Sequence, residues 1–144
     1  MSLFSGLTDI MHPMTVHFPI ALIIVSCFMA VIYWFKNHDP FMNTCIKILI
    51  VLSALGAWAA VITGSFHLKL TPEAEAIKHI HHGYATLTAW LISISAALYI
   101  FFYFYKKHLP KWLGWLAFLL LIASTIFIAI TGYYGGYIVY NVLL

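Results

Sequence analysis

Four long apolar stretches, separated by three short polar segments, make up most of the 144-residue chain. A helix needs roughly 20 residues to cross a hydrocarbon core of about 30 Å. Each stretch has about that length, and they lie near 16–35, 46–66, 80–105 and 112–134. The pattern therefore predicts an all-α integral membrane protein, in which residues 1–144 form a single up-down-up-down bundle of four transmembrane helices.

Composition supports a membrane location. The chain is 64% hydrophobic and only 8% charged, whereas soluble domains carry about 25% charged residues. It therefore has too few charged side chains to cover a surface in water, and membrane lipid is the expected surrounding. The net charge of +3 comes mostly from lysines in loops beside the predicted spans. It therefore does not indicate a nucleic-acid partner.

The distribution of lysine predicts the orientation of the bundle. Five of the seven basic residues flank the first and third loops, namely Lys36, Lys47, Lys106, Lys107 and Lys111. Loops rich in lysine and arginine stay in the cytoplasm. We therefore expect both termini and the middle loop to face outward, into the periplasm of a Gram-negative cell. The apolar tail after Gly136 is too short to span the membrane, and we expect it to lie along the membrane interface or against a partner.

The start of the first apolar stretch carries the most unusual motif, His12-Pro-Met-Thr-Val-His17-Phe-Pro-Ile-Ala21. Proline is best tolerated in the first turn of a helix, so Pro13 and Pro19 predict that the first helix starts here. An ionisable side chain at the edge of an apolar span is a functional-site hypothesis. Six of the eight histidines fall on this predicted outer side: His12, His17, His67, His79, His81 and His82.

Depth and repetition link two of these histidines. At 1.5 Å per residue, His17 and His82 both lie at the outer boundary of their helices. Helices two and four each end in Ile-Thr-Gly, with glycine at Gly64 and Gly132. The matching pattern suggests two helical hairpins related by an axis along the membrane normal, although small residues at helix contacts give the same pattern through packing alone.

This arrangement predicts a b-type haem site. Helices one and three are diagonal in such a bundle, with axes roughly 11–14 Å apart, and two facing histidines could bind haem iron between them. Gly64 and Gly132 would allow the close approach of a flat macrocycle. The absence of a Cys-x-x-Cys-His motif excludes covalent c-type attachment. His17 and His82 are the preferred axial ligands.

Other ligand sets stay open at this point. His79 lies one turn before His82 on the same helix face, so it could replace His82, orient it, or serve a second haem with His12 or His67. The predicted number of haems per chain is therefore one or two. Any of His12, His67 and His81 is also explained as a hydrated side chain at the membrane surface.

Two other classes of function are compatible with the sequence. Methionine and histidine in Met11-His12-Pro13-Met14 suit copper, which favours a copper- or zinc-handling or transport protein facing the periplasm. A cofactor-free structural subunit of a larger membrane complex is the third interpretation. No acid–base pair or other catalytic residue is recognisable, so an electron carrier or redox-complex subunit is favoured over a stand-alone enzyme.

The opening motif, His12-Pro-x-x-Val-His17-Phe-Pro-Ile-Ala21, together with Thr63-Gly64 and a third helix that begins with histidines, resembles a known family. This family comprises small bacterial inner-membrane proteins and is called domain of unknown function 2231. The resemblance covers nearly the whole chain and implies four helices in the inner membrane. Some members are fused to c-type cytochrome segments, which implies membrane redox work.

The resemblance also suggests a context for the function. With membrane redox work implied, we expect electron exchange between quinol and a periplasmic c-type cytochrome, by the protein alone or as a subunit of a larger redox complex. The family usually has an acidic or aromatic residue shortly after Thr-Gly, where this chain has Ser65-Phe66-His67. A role for His67 as a further ligand, the choice among His79, His81 and His82, and homo-oligomerisation all stay open.

Overall fold

Four α-helices form the bundle. The computed structural model describes residues 3–35, 39–65, 72–105 and 110–140. The helices are α1 (Leu3–Phe35), α2 (Pro40–Gly64), α3 (Pro72–Phe104) and α4 (Lys111–Ile138). Each is long and apolar enough to cross a membrane, which confirms the predicted fold class.

Neighbouring helices pack in the order of the chain. α1 packs against α2, α2 against α3, and α3 against α4, while a smaller contact between α4 and α1 closes the ring. The closest packing is within the two hairpins, α1–α2 and α3–α4. α1 and α3 are therefore diagonal, as predicted.

The helices begin earlier than the apolar stretches suggested, and α2 shows why. Asp39 precedes it and its carboxylate accepts hydrogen bonds from the backbone N–H groups of Phe41 and Met42, at 3.3 and 3.1 Å. Pro40 takes the first helical position, where its missing N–H costs nothing. α2 therefore starts at residue 40 rather than near residue 46, because the cap lies in the polar loop and not at the apolar boundary.

The prediction that two prolines mark the first turn of α1 is wrong. α1 begins at Leu3, and Pro13 and Pro19 lie inside it. Membrane helices tolerate internal proline where neighbouring helices support the interrupted backbone. Pro19 is buried against α2 at Gly56, where an added Cβ would lie 3.4 Å from the proline Cδ. The segment around His12 is therefore regular helix.

The predicted end of α4 near residue 134 is also wrong. The helix continues through Gly135 and Gly136 to Ile138, although each glycine costs a helix up to about 1 kcal/mol relative to alanine. Gly135 packs against the ring of His81, and this contact favours the helical path. The tail up to Tyr140 belongs to the bundle, and residues 141–144 lie outside the described residues.

Small polar side chains fill much of the space between the helices. Alongside Ile23, Ile50 and Leu121, fully buried residues include Ser26, Ser53, Thr88, Ser95 and Ser124. Most of these hydroxyls donate to a carbonyl one turn earlier in their own helix. Ser95 instead donates to the carbonyl of Ala117, at 2.9 Å, and so links α3 to α4. Small residues allow the close helix approach that membrane bundles depend on.

The outer surface of the bundle is apolar. Large side chains stand exposed along all four helices, among them Phe28, Leu55, Trp90 and Leu119. In water such a surface would associate or aggregate, whereas in a bilayer it contacts lipid tails. The exposed apolar surface agrees with a membrane-spanning protein.

Candidate functional site

One end of the bundle, where α1 and α3 begin and α2 and α4 end, contains five of the histidines. We call it the histidine end; it holds His12, His17, His79, His81 and His82. Because α1 extends to residue 3, His12 lies on a helix that packs against α2. The two hairpins each contribute histidines to this end.

His12 is fixed by α2. Its Nδ1 lies 3.1 Å from the carbonyl oxygen of Ala60 and 3.3 Å from Oγ1 of Thr63. A carbonyl oxygen only accepts hydrogen bonds, so Nδ1 carries the proton and donates. In the neutral ring Nε2 then keeps its lone pair, which makes it available to a metal ion.

Thr63 strengthens this link between α1 and α2. Its hydroxyl is buried, donates within α2 to carbonyl oxygens one turn earlier, and lies 2.9 Å from Oγ1 of Thr15 on α1. The Thr15 hydroxyl also lies within hydrogen-bond distance of carbonyl oxygens of its own helix, so either threonine oxygen can accept from the other. The ring of His12 is therefore oriented by a carbonyl and a hydroxyl on the facing helix.

His81 is held in the same way by the second hairpin. Its Nδ1 lies 2.9 Å from the carbonyl oxygen of Thr131 on α4. The same reasoning assigns the proton to Nδ1 and the lone pair to Nε2. Metal-binding histidines are typically oriented by a hydrogen bond of this kind from the other ring nitrogen.

The two rings face each other across the diagonal of the bundle. The ring centroids of His12 and His81 are 6.1 Å apart, and the ring planes are nearly perpendicular, at 87°. Two imidazoles on opposite sides of one metal ion would have ring centroids about 6.2–6.4 Å apart, from metal–nitrogen bonds of about 2.0–2.1 Å and roughly 1.1 Å within each ring. An edge-to-face pair of aromatic rings without a metal has a similar spacing. The case for a metal site therefore also depends on the free Nε2 atoms and on the space around the two rings.

A glycine makes room for each ring. A Cβ at Gly64 would lie 2.8 Å from Cε1 of His12, and one at Gly135 would lie 3.1 Å from Cε1 of His81. In both hairpins the glycine follows the residue with the acceptor carbonyl by four positions, Ala60 to Gly64 and Thr131 to Gly135. The matching half-sites are therefore His12–Ala60–Gly64 and His81–Thr131–Gly135.

A cavity of about 470 Å³ adjoins the two histidines and receives residues from all four helices. Small residues form much of its wall: Ala60, Gly64, Gly132, Gly135 and Gly136. Its deeper part is apolar and includes Pro19, Ile20, Ala57, Ala85 and Ile128. Lys78 also lines it, from the first turns of α3.

The predicted ligand residues occupy different positions at this end. His17 and His82 both line the cavity, and Nδ1 of His17 donates to the carbonyl of Pro13 at 2.7 Å. His79 is exposed and is not among the lining residues. His67 lies outside the described residues. The pairing of His17 with His82 stays a prediction, and the ring contact that the structure provides is between His12 and His81.

Gly64 and Gly132 differ in what they contact. Gly64 lies against His12, whereas a Cβ at Gly132 would meet no protein atom within 4 Å and would project into open space. Gly132 still lines the cavity, so its predicted role beside a macrocycle stays a prediction. In the second hairpin, the glycine that lies close to a histidine ring is Gly135, which contacts His81.

Sequence reasoning prefers His82 as the ligand from α3 and leaves the choice among His79, His81 and His82 open. His17 is preferred with His82 because the two lie at equal depth, and His12 is kept for a possible second site. His12 precedes Gly64 by 52 residues, and His81 precedes Gly135 by 54. The spacing to a glycine near the end of the next helix does not single out His81, because His82 precedes Gly135 by 53 residues.

Comparison with known proteins gives one match. A family model described as "Predicted membrane protein (DUF2231)" matches residues 8–143. No curated protein and no solved structure matches the chain. The family match covers all four helices and the whole histidine end.

Proposed function

We propose that this chain, which belongs to the DUF2231 family of predicted membrane proteins, binds haem b through His12 and His81 and carries electrons at the membrane. The observation on which the proposal depends is the pair of rings 6.1 Å apart, each with Nδ1 donating to a backbone carbonyl and Nε2 available. His17 and His82 are the alternative axial pair, since both line the same cavity.

Two imidazole nitrogens are enough to hold a metal ion whose other ligands belong to a cofactor. Among the described residues, no three His, Cys, Asp or Glu side chains are grouped as a metal site. A tetrahedral zinc site usually has at least three protein ligands, whereas a porphyrin supplies four nitrogens and needs only the two axial positions filled. The cavity of about 470 Å³ is within the range of roughly 300–1,000 Å³ found for cofactor pockets.

Each part of the site has a definite task in this proposal. Nε2 of His12 and of His81 would occupy the two axial positions. The carbonyls of Ala60 and Thr131 hold the ring orientation through Nδ1, and Gly64 and Gly135 let both rings lie close to the facing helices. Bound haem supplies a one-electron couple, which the axial ligands and the polarity of the surroundings tune.

The location and partners belong to the same proposal. The lysines at the opposite end of the bundle favour a bacterial inner membrane with the histidine end and both termini on the periplasmic side. Of these lysines, Lys47 and Lys111 are described, and Lys36, Lys106 and Lys107 lie outside the described residues. A site near the periplasmic surface would suit electron exchange between quinol and a c-type cytochrome or a larger redox complex.

Copper handling is the second candidate, because two imidazole nitrogens at this spacing also suit a metal ion without a porphyrin. The methionines of the opening motif do not support it. Met14 is 71% exposed, and neither Met11 nor Met14 is among the described residues that line the cavity. The small-residue walls and the cavity volume have no role in a two-coordinate copper site.

Visible spectra of the purified protein, oxidised and then reduced with dithionite, test the proposal. We expect a low-spin b-type spectrum, with haem quantified by the pyridine haemochrome method and compared with protein concentration. Metal analysis is the parallel measurement. Stoichiometric copper without iron would replace the proposal with the second candidate. A protein that contains no haem and no metal would favour the structural subunit.

A further inference from the structure

Lys78 is a charged residue in an otherwise largely apolar cavity. It is partly buried, lies near the start of the candidate membrane span Ala74–Phe104, and lines the cavity beside His81 and His82. It precedes these histidines by three and four residues, so it shares their helix face and lies one turn nearer the start of α3. Its charge is close enough to His12 to interact with that ring.

Among the side chains that the structure describes, no acidic partner for this ammonium group lines the cavity. Glu75, three residues earlier on α3, is exposed and does not line the cavity. A charged side chain inside a membrane span normally pairs with an opposite charge or faces a functional cavity, so the partner is expected in the ligand.

The cavity is polarised along the membrane normal. Lys78 lies toward the histidine end, while the deeper wall consists of apolar residues such as Ile20, Ala57 and Ile128. A ligand that matches this wall has an apolar body and an anionic edge at the surface. Haem b has that character, since its two propionates lie on one edge of an otherwise apolar plate.

We infer that Lys78 binds a propionate carboxylate of haem b and so fixes the macrocycle with its carboxylate edge toward the histidine end. This inference rests on the proposed function. It assigns Lys78 a binding role distinct from that of the axial histidines, because the ammonium group recognises the carboxylate edge and not the iron. It also predicts which edge of the plate lies nearest the membrane surface.

A two-way comparison tests the assignment. Haem-free wild-type protein and Lys78→Met are titrated with haem and with haem dimethyl ester, whose carboxylates carry no charge, and binding is followed by the Soret absorbance. Methionine keeps the length of the side chain and removes its charge. We expect Lys78→Met to bind haem about ten- to hundredfold more weakly, as for loss of one charge-assisted hydrogen bond, and to bind the ester as the wild type does.

Two control variants and one comparison complete the design. Lys111→Met removes an exposed charge at the other end of the bundle and should leave haem affinity unchanged, and Lys78→Arg should retain most of it. The wild-type preference for haem over its ester needs no variant, so it remains informative if Lys78→Met does not fold. Equal losses with both ligands, or no loss with either, would overturn the role of Lys78 and leave haem binding intact. If the wild type binds neither, the proposed function falls together with this inference.

Discussion

The ring of His12 lies so close to the backbone of Gly64 that a Cβ there would be 2.8 Å from Cε1 of the imidazole. Real Cβ contacts are not this short, so position 64 accepts a side chain only if His12 moves. His12 is also the residue whose Nδ1 is fixed by the carbonyl of Ala60, one turn before Gly64. A single turn of α2 thus supplies both the orientation of the ring and the space it occupies.

Gly64→Ala should therefore weaken haem binding without unfolding the bundle. The new methyl group must displace the imidazole, which is the mobile end of a side chain, so the cost is lost ligand geometry rather than lost helix packing. We expect affinity to fall about tenfold, the equivalent of about 1.4 kcal/mol. Soret titration gives the affinity, and circular dichroism checks helical content.

Gly132→Ala is the matched control, because a Cβ at Gly132 would meet no protein atom within 4 Å. It should bind haem nearly as the wild type does. Gly132→Leu should instead fill the cavity and lower haem occupancy while the helices still form, because a tightly filled pocket tolerates extra volume poorly. Normal occupancy in Gly132→Leu would show that the macrocycle does not lie beside α4 at this depth.

Alanine at either axial histidine should change the spectrum of the bound haem. If His12 and His81 are the ligands, His12→Ala and His81→Ala should lose the low-spin spectrum, because one axial nitrogen is removed in each. His79→Ala removes an exposed ring that does not line the cavity and should keep it. The opposite result, with loss in His17→Ala and His82→Ala only, would assign the iron to the alternative pair.

A larger side chain at Gly56 should destabilise the fold instead of the site. A Cβ there would lie 2.9 Å from Cδ1 of Phe18 and 3.4 Å from Cδ of Pro19, where α1 crosses α2. Overfilling this contact should cost about 1–3 kcal/mol, measured for Gly56→Val as a lower unfolding midpoint of the haem-free protein. Gly83→Ala, which meets nothing within 4 Å, should be neutral or stabilising, since alanine favours helix. An equal loss at both positions would contradict the close crossing.

The orientation of the bundle can be tested with reporter fusions. A reporter that is active only in the periplasm should be active when fused after residue 144 and inactive when fused at residue 37, because lysine-rich loops stay in the cytoplasm. Activity at residue 37 alone would invert the bundle. The histidine end would then face the cytoplasm, and a periplasmic cytochrome would be excluded as the direct partner.

The sequence by itself determined the membrane bundle. Four apolar stretches of spanning length leave few alternatives, because in lipid the backbone must satisfy its own hydrogen bonds and a helix does so locally. The opening motif was enough to identify the family, and the family match over residues 8–143 confirms it. The sequence also indicated the diagonal placement of the histidine-bearing helices, since short loops make consecutive helices neighbours.

The tertiary structure decided which histidines meet. The sequence predicts that His12 lies just before the first helix, since Pro13 is least costly in a first turn. The structure keeps α1 helical through both prolines, because α1 packs closely against α2 at Gly56. The direction of an imidazole depends on its acceptor, and the carbonyls of Ala60 and Thr131 lie 48 and 50 residues away in the chain. Such partners come together only when the hairpins pack, so no local pattern could distinguish His81 from His79 or His82.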